Sequence, residues 1–305
     1  MKAIDDVRVY VGPNQLPDLE VAVVRGGGRV VPLAEANAIV YHGSDDAREV
    51  VDMISERILW IQLPHAGVER WTQPGYITAE PVWTSAAGAY SPQVAEHVLA
   101  LMLLGAKGLH TLARATEWTP KNTRSLAGST VAIIGAGGIG QALVTLLKPF
   151  DCVITAVSNS GPFPGAERTV PRDRYREVLP DADYVVLTAP STSETRGMIG
   201  AAELAAMKPG AWLINVARGD LVVTDELVAA LGAGEIAGAA LDVTDPEPLP
   251  SDHPLWRLPN ALITPHSANP EDAYWRTLAK RVEDNVRRAN LGQPLLGVID
   301  PAVAG

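Results

Sequence analysis

Cysteine is nearly absent from this sequence of 305 residues. Cys152 is the only one, so no intrachain disulfide can form. It lies in the apolar run "CVITAV" (152–157), and a thiol in such a run is typical of a buried structural residue rather than of a catalytic nucleophile. The fold must therefore be held by its hydrophobic interior, and a chain of this length has room for about two domains.

Long hydrophobic runs are also missing. The longest candidate, "VLALMLLGA" (98–106), is less than half of the roughly 20 apolar residues that a helix needs to cross a bilayer. The first residues, "MKAIDDVRVY", are acidic and strand-like and show no signal-peptide pattern. The sequence therefore predicts a cytoplasmic protein with no membrane partner.

Positive charge is in short supply. The chain has 25 Lys and Arg residues against 35 Asp and Glu residues, a formal net charge of −10 at pH 7. Nucleic-acid binding needs a basic surface that displaces counterions from phosphates, so we expect no nucleic-acid partner. An anionic substrate would need a local positive site. No His, Cys or acidic cluster has metal-ligand spacing, so no metal is predicted.

Short strand-like runs alternate with helical segments along the whole chain. The first runs are "VRVYV", "VAVV", "AIVYH" and "ILWIQL". A long helix with Ser91 as N-cap and Pro92 at its first position leads to "TVAII", "CVITAV", "YVVLTA", "WLINVA", "AALDV" and "ALITP". A last helix has Asn269 as N-cap and Pro270 at its first position. This order predicts an α/β protein with a small parallel unit followed by a doubly wound parallel sheet.

A glycine-rich turn opens the second series of strands. Residues 131–134 form an apolar strand that meets Gly135, Gly137 and Gly140, and an apolar helix follows. In this context the glycines permit a tight turn, let a pyrophosphate approach the backbone, and bring the helix close to its strand. A Gly-rich turn without a ligand is the alternative, but the strand, turn and helix order favours a dinucleotide site.

The next strand ends without the acidic residue that usually selects NAD. Ser158, Asn159 and Ser160 stand where Asp or Glu would bind the ribose 2′-hydroxyl. No carboxylate is there to repel a 2′-phosphate, so NADP(H) is favoured and NAD(H) stays open. No arginine is there either, unless Arg168, Arg172 or Arg174 folds back.

Ionisable side chains follow the remaining strands of the predicted sheet. Ligands of a doubly wound sheet bind beyond the carboxyl ends of its strands. Reading these ends in chain order gives Ala189 and Pro190, then Arg218, then Asp242 with Glu247 close behind, and then His266.

Each of these residues also has an ordinary interpretation. Arg218 could pair with a neighbouring acid such as Asp220, because a guanidinium at the edge of a core needs a partner. Glu247 lies in the loop "DPEPLPSDHP" and could be a solvated acid, and His266 could be structural. Their joint position at one edge favours a shared role.

These motifs resemble the D-isomer-specific 2-hydroxyacid dehydrogenases. The resemblance covers nearly the whole chain, and it rests on "GAGGIG" (135–140), "NVARG" (215–219), "AALDVTDPEPLP" (239–250) and "TPH" (264–266). It implies that Arg218 binds the substrate carboxylate and carbonyl, that His266 is the general acid/base, and that Glu247 is the acidic partner of His266. Asp242 would contact the nicotinamide end of the cofactor.

The same resemblance implies a substrate loop at "LPHAGVE" (63–69). The backbone amides of Ala66 and Gly67 would help to hold the substrate carboxylate. His65 departs from the small residues expected at its position, so we include it as a substrate-binding residue with a role in selection. The implied cofactor-binding residues are Gly135, Ala136, Gly137, Gly138, Ile139, Gly140, Ser158, Asn159, Ser160, Ala189, Pro190, Val216, Ala217, Asp242 and His266.

The implied architecture is a Rossmann-type doubly wound sheet inserted into a smaller flavodoxin-like α/β substrate domain. We expect residues 1–95 to form the first part of the substrate domain, 96–272 the dinucleotide-binding domain, and 273–305 a C-terminal helix and tail that return to the substrate domain. The resemblance also implies a homodimer. The implied activity is NAD(P)H-dependent reduction of a small anionic 2-keto acid to the D-2-hydroxy acid, and the reverse.

Two alternatives stay open. Relatives that oxidise formate or phosphite share the architecture; Glu247, in place of a glutamine-type partner, argues against the formate branch, whereas phosphite chemistry stays open. A non-enzymatic regulator that binds dinucleotide and reports redox state is the other. The complete set of Arg218, Glu247 and His266 favours an enzyme, because keto acid reduction needs a proton donor and a carboxylate-binding cation.

Replacing Arg218 by lysine provides the first test. The planar guanidinium can grip a carboxylate through two hydrogen bonds, which a lysine ammonium cannot reproduce. We expect Arg218→Lys to lose most keto acid reductase activity in a steady-state assay. Near-normal turnover of this variant would remove Arg218 from the site.

Overall fold

The computed structural model describes residues 4, 6–44, 46–72, 75–118 and 123–301. The strands are β1 (Arg8–Pro13), β2 (Arg29–Val30), β3 (Ala38–His42), β4 (Trp60–Gln62), β5 (Val82–Thr84), β6 (Thr130–Ile134), β7 (Val153–Val157), β8 (Arg168–Val170), β9 (Tyr184–Leu187), β10 (Trp212–Asn215), β11 (Gly238–Leu241) and β12 (Ala261–Ile263). The α-helices are α1 (Pro17–Arg25), α2 (Arg48–Val51), α3 (Glu69–Thr72), α4 (Ser91–Lys107), α5 (Leu109–Leu112), α6 (Gly138–Leu147), α7 (Ala201–Ala206), α8 (Thr224–Ala233) and α9 (Glu271–Asn290). Within the described ranges, no helix is both long enough and apolar enough to cross a membrane.

The chain divides into two compact units. The first comprises Met1–Tyr90 and Pro270–Gly305, and the second is Ser91–Asn269. The second unit is therefore inserted into the sequence of the first, and the chain passes between them after Tyr90 and after Asn269.

The first unit is built on a parallel five-stranded sheet. Its order is β2-β1-β3-β4-β5, which is the flavodoxin-like order. Every residue of β4 is buried, and Trp60, Trp71 and Trp83 are among the largest fully buried side chains. Near the second crossing, α9 has Glu271 and Asp272 in its first turn and Arg287 and Arg288 in its last turn, so its charges match the helix dipole.

Two sequence-based expectations for this unit were wrong. "VAVV" (21–24) is not a strand but part of α1, which begins with Pro17 and buries Leu19, Ala22 and Val23. These buried positions are three and four residues apart, which is helical spacing, and four apolar letters in a row concealed it. The N-cap of α9 is Pro270 rather than Asn269, so this helix begins one residue later than predicted.

The second unit is built on a parallel seven-stranded sheet. Its order is β12-β11-β10-β9-β6-β7-β8, with the first strand of the unit, β6, inside the sheet and the chain winding outward on both sides. All four residues of β9, β10 and β11 are buried, as expected for a sheet covered on both faces. The predicted α/β class, with a Rossmann-type sheet and a smaller flavodoxin-like sheet, is confirmed.

Cys152 lies in the core of the second unit. It is 7% exposed, and its thiol donates to the backbone oxygen of Leu126 at 3.4 Å. Burial raises the pKa of the Cys152 thiol, so the neutral form is favoured. This agrees with a structural residue.

Candidate active site

The glycine-rich turn joins β6 to α6 at the carboxyl end of the sheet. Gly135 has a φ of +109°, and a Cβ there would lie 2.6 Å from Cα of Ala189 on the neighbouring strand connection. Gly140 faces the turn, where a Cβ would lie 3.1 Å from the carbonyl oxygen of Gly135. The first glycine therefore permits the turn, and the second lets α6 pack against β6.

A cavity of about 290 Å³ opens beside this turn. It is lined by Ile134, Gly135, Ala136, Gly137, Val157, Ser158, Asn159, Ser160, Arg172, Thr188, Ala189, Pro190, Thr195 and Met198. Eight of the predicted cofactor-binding residues are among them. The other predicted residues, Gly138, Ile139, Gly140, Val216, Ala217, Asp242 and His266, do not line this cavity.

Arg172 is the arginine that reaches the "SNS" turn. Its backbone N–H donates to Oδ1 of Asn159 at 2.8 Å, and it lines the cavity together with Ser158 and Ser160. Its guanidinium is paired with Glu194 and is 40% exposed. Arg168 and Arg174 instead pair with Glu177. The sequence could not select among the three, because the choice depends on how the segment after β8 folds.

Arg218, Asp242 and His266 follow three adjacent strands. They come after β10, β11 and β12, which are paired in this order, so the strands that precede Arg218 and His266 are two strand spacings, about 10 Å, apart. Gly219 brings the Arg218 turn against the loop after β11, since a Cβ there would lie 2.6 Å from the backbone nitrogen of Asp245.

His266 and Glu247 form a direct pair. Nδ1 of His266 lies 2.6 Å from Oε1 of Glu247, and the two side chains are 55% and 42% exposed. A carboxylate only accepts, so the hydrogen of this bond is on Nδ1. Nε2 of the imidazole is left for another partner.

Asp242 organises the loop that carries His266. Its side chain is 2% exposed, and its oxygens accept from the hydroxyl of Thr264 at 2.6 Å and from the backbone N–H groups of Ser267 and Ala268 at 2.9 and 3.1 Å. The predicted contact between Asp242 and the nicotinamide stays a prediction. The three bonds above already occupy much of the acceptor capacity of the Asp242 carboxylate.

Arg218 is fixed at its backbone by the strand that precedes it. The side-chain amide of Asn215 donates to the carbonyl oxygen of Arg218 at 2.8 Å, and Nη1 of Arg218 donates to the carbonyl oxygen of Ala217 at 2.7 Å. The carboxylate of Asp220, the alternative partner considered from sequence, is bound by Arg196 at 3.2 Å and accepts from Ser191 at 2.7 Å.

The predicted substrate loop lies in the first unit, where aromatic residues support it. The hydroxyls of Tyr90 and Tyr274 donate to the carbonyl oxygen of Pro64 at 2.8 and 3.0 Å. The His65 ring lies 6.2 Å from the rings of Trp71 and Tyr274, between centroids. The backbone oxygen of His65 accepts from the N–H of Ala86 at 2.8 Å. No local sequence pattern pointed to Tyr274, which is 210 residues from Pro64.

Across the described part of the chain, no three His, Cys, Asp or Glu side chains are grouped so that they could hold a metal ion.

Comparison with known families shows to which family this chain belongs. Residues 98–268 match the model of the D-isomer specific 2-hydroxyacid dehydrogenase, NAD binding domain. The match covers more than half of the chain. The chain belongs to this family. It is an oxidoreductase of the 2-hydroxyacid dehydrogenase type, and the second unit contains its NAD-binding domain.

Individual relatives extend the similarity over most of the chain. An uncharacterized Corynebacterium melassecola protein encoded in the proB 3′ region is 41% identical over 294 residues, which cover 93% of this chain and 95% of that one. A glyoxylate reductase of Pyrococcus furiosus is 34% identical over 247 residues, covering 72% and 73% of the two chains. The crystal structure of a D-isomer specific 2-hydroxyacid dehydrogenase from Xanthobacter autotrophicus Py2, in complex with NADPH and MES, has a TM-score of 0.83 with 27% identity and covers all of both chains.

Two glycine substitutions test how this dehydrogenase forms its turn. Gly135→Ala should lower the free energy of unfolding by about 2–4 kcal/mol, because the added methyl meets Ala189 and the positive φ is strained. In Gly137→Ala the methyl meets nothing within 4 Å, so stability should change little. Its dinucleotide affinity should nevertheless fall, because the methyl lies where a pyrophosphate approaches. Denaturant unfolding and calorimetric titration measure the two effects, and unchanged affinity in Gly137→Ala would contradict binding at this turn.

Proposed function

We propose that this enzyme uses NAD(P)H to reduce a small 2-keto acid to the D-2-hydroxy acid, and that it also catalyses the reverse reaction. The observation that carries the proposal is the pair of His266 and Glu247 at 2.6 Å. His266 follows β12, which is the second strand along the sheet from β10, the strand that precedes Arg218. A proton donor and a carboxylate-binding cation are the two groups that this reaction requires from the protein.

His266 acts as the general acid. The nicotinamide, when bound, supplies the hydride, so the protein must supply the proton for the developing alkoxide. Because Nδ1 of His266 is engaged by Glu247, Nε2 is the atom that gives this proton to the substrate oxygen. Glu247 fixes the ring orientation so that Nε2 points consistently at the substrate. In the reverse direction, Nε2 accepts the proton of the hydroxyl.

Arg218 binds the substrate carboxylate and polarises the keto oxygen. Its carbonyl oxygen is tied to the Asn215 side chain, which fixes the backbone from which the guanidinium extends. The roles that the resemblance implies for the backbone amides of Ala66 and Gly67 and for His65 stay predictions. The glyoxylate reductase of Pyrococcus furiosus supports a small keto acid as the substrate class.

NADP(H) is the preferred cofactor in this proposal. Ser158, Asn159 and Ser160 follow β7 without a carboxylate, and Arg172 lines the same cavity. An arginine and serine hydroxyls match a 2′-phosphate in charge and in hydrogen bonding. The homodimer and the cytoplasmic location stay predictions.

A reductase assay tests the function. The purified protein is offered NADPH or NADH with glyoxylate, hydroxypyruvate, pyruvate or phenylpyruvate, and nicotinamide absorbance is followed. We expect turnover with at least one keto acid. His266→Ala should lower it on the order of 10³-fold while dinucleotide binding persists, because general acid catalysis is typically worth about 10²–10⁴ in rate.

His253→Ala is the matched control in the same unit. The His253 side chain only accepts a bond from the backbone N–H of Leu255, so this variant should keep its turnover. Tight dinucleotide binding without turnover of any keto acid would contradict the proposal and favour a regulator. Oxidation of phosphite or formate in parallel reactions with NADP⁺ and NAD⁺ would instead identify that branch of the fold.

Arg172→Ala tests the cofactor preference separately. Loss of the guanidinium should raise the KM for NADPH on the order of tenfold and leave the KM for NADH within about twofold, because only NADPH carries the 2′-phosphate. Arg174→Ala is the control, since its guanidinium pairs with Glu177. Equal changes in both KM values would show that Arg172 does not recognise the phosphate.

A further inference from the structure

A partly buried hydrogen-bond network joins α4 to the loop after β12. The Thr264 hydroxyl donates to Oδ1 of Asp242 at 2.6 Å. A hydroxyl has one hydrogen, so the Thr264 oxygen must accept in its other bond. That bond is to Nε2 of His97, which lies 3.0 Å from Thr264 Oγ1 and 3.5 Å from Asp242 Oδ1. Nε2 of His97 therefore carries a hydrogen and donates to Thr264.

The loop held by this network has a strained backbone at His266. The φ of His266 is +51°, in the left-handed region that residues other than glycine rarely adopt. Such a conformation persists only where the surrounding structure fixes it. The N–H of His266 is shared between the backbone oxygens of Asp242 and Thr264, at 2.8 and 3.0 Å. The two residues that fix the backbone of His266 are thus the two that His97 approaches.

His97 connects the hydrogen-bond network to a helix outside the loop of His266. It lies on α4, where Ala95 and Val98 are fully buried in the core, and its own side chain is only 21% exposed. The helix therefore fixes the backbone from which the ring extends. Thr264 is 167 residues further along the chain, and the bond ties it to a rigid element outside the loop.

We propose that His97 is a positioning residue for His266. By donating to Thr264 it fixes the hydroxyl that binds Asp242, and Asp242 and Thr264 together hold the backbone that presents the His266 imidazole to Glu247 and the substrate. The kinetic part of this proposal rests on the reductase function proposed above.

The test uses variants at both ends of the His97–Thr264 bond in the full-length protein. His97→Phe keeps the ring volume and removes the donor, whereas His97→Gln keeps an N–H donor at a similar reach. Thr264→Val removes the hydroxyl, and Thr264→Ser retains it. Glu96→Gln is the matched control, because Glu96 is exposed on the same helix.

In the reductase assay, His97→Phe and Thr264→Val should each lower kcat on the order of tenfold and leave the KM for the keto acid within about twofold, because a catalytic group displaced by a fraction of an ångström loses rate rather than substrate affinity. His97→Gln, Thr264→Ser and Glu96→Gln should stay within about threefold of the parent enzyme. Rates are expressed per dinucleotide-binding site, so unfolded protein does not count as lost activity. Equal losses in His97→Gln and His97→Phe would overturn the proposal.

A double-mutant cycle separates this role from independent structural effects. If both residues act through one bond, His97→Phe/Thr264→Val should have about the kcat of the more impaired single variant. If the two losses multiply, the residues act separately and the proposal fails.

Nuclear magnetic resonance of the His266 imidazole gives a readout that needs no turnover. The His266 signals, assigned by their absence in His266→Ala, should shift in His97→Phe and Thr264→Val and stay in place in His97→Gln and Glu96→Gln. If the parent protein reduces no keto acid, the proposed function fails and these signals alone decide the positioning role. Unchanged signals in both His97→Phe and Thr264→Val would overturn it.

Discussion

The carboxylate of Asp242 is almost entirely buried, and the hydrogen-bond donors that compensate for its lost hydration belong to the loop that carries His266. The Asp242 carboxylate accepts from the hydroxyl of Thr264, which precedes His266 in the sequence, and from the N–H groups of Ser267 and Ala268, which follow it. A buried carboxylate without such donors would cost several kcal/mol, so the loop cannot leave this geometry cheaply. The position of His266, the proposed general acid, therefore follows from the hydrogen bonds that the buried Asp242 carboxylate requires.

Close backbone approaches impose a second constraint at the same edge of the sheet. Gly135 follows β6 where the backbone of Ala189 passes, and Gly219 lies after β10 where the loop of Thr244 and Asp245 passes. In both places a Cβ would occupy space that the neighbouring backbone fills. The first approach shapes the turn beside the cavity, and the second holds the Arg218 turn against the loop that leads to Glu247. The two motifs "GAGGIG" and "NVARG" contain glycine for this packing reason as well as for any ligand.

Much of this arrangement could be predicted because it depends on local patterns. Parallel strands align their carboxyl ends, so residues that follow buried runs were expected at one edge, and Arg218, Asp242 and His266 do follow three paired strands. The errors came where the pattern was too short or the partner too distant. "VAVV" is compatible with a strand until Leu19 and Ala22 are seen on one helix face. Arg172 and His97 reach their positions through tertiary packing, which a single sequence does not encode in any local spacing.

The residues proposed for proton transfer and for binding the cofactor all lie between Ser91 and Asn269, within one compact unit. The loop of His65 belongs to the other unit and is supported by Tyr90 and Tyr274, which bond to Pro64. The hydrogen bonds of Asp242, Thr264 and His97 are made wholly inside the second unit. In the proposed mechanism, a substitution at His65 would therefore leave the bonds that hold His266 intact, and substrate selection by His65 and proton transfer by His266 would rest on separate sets of interactions.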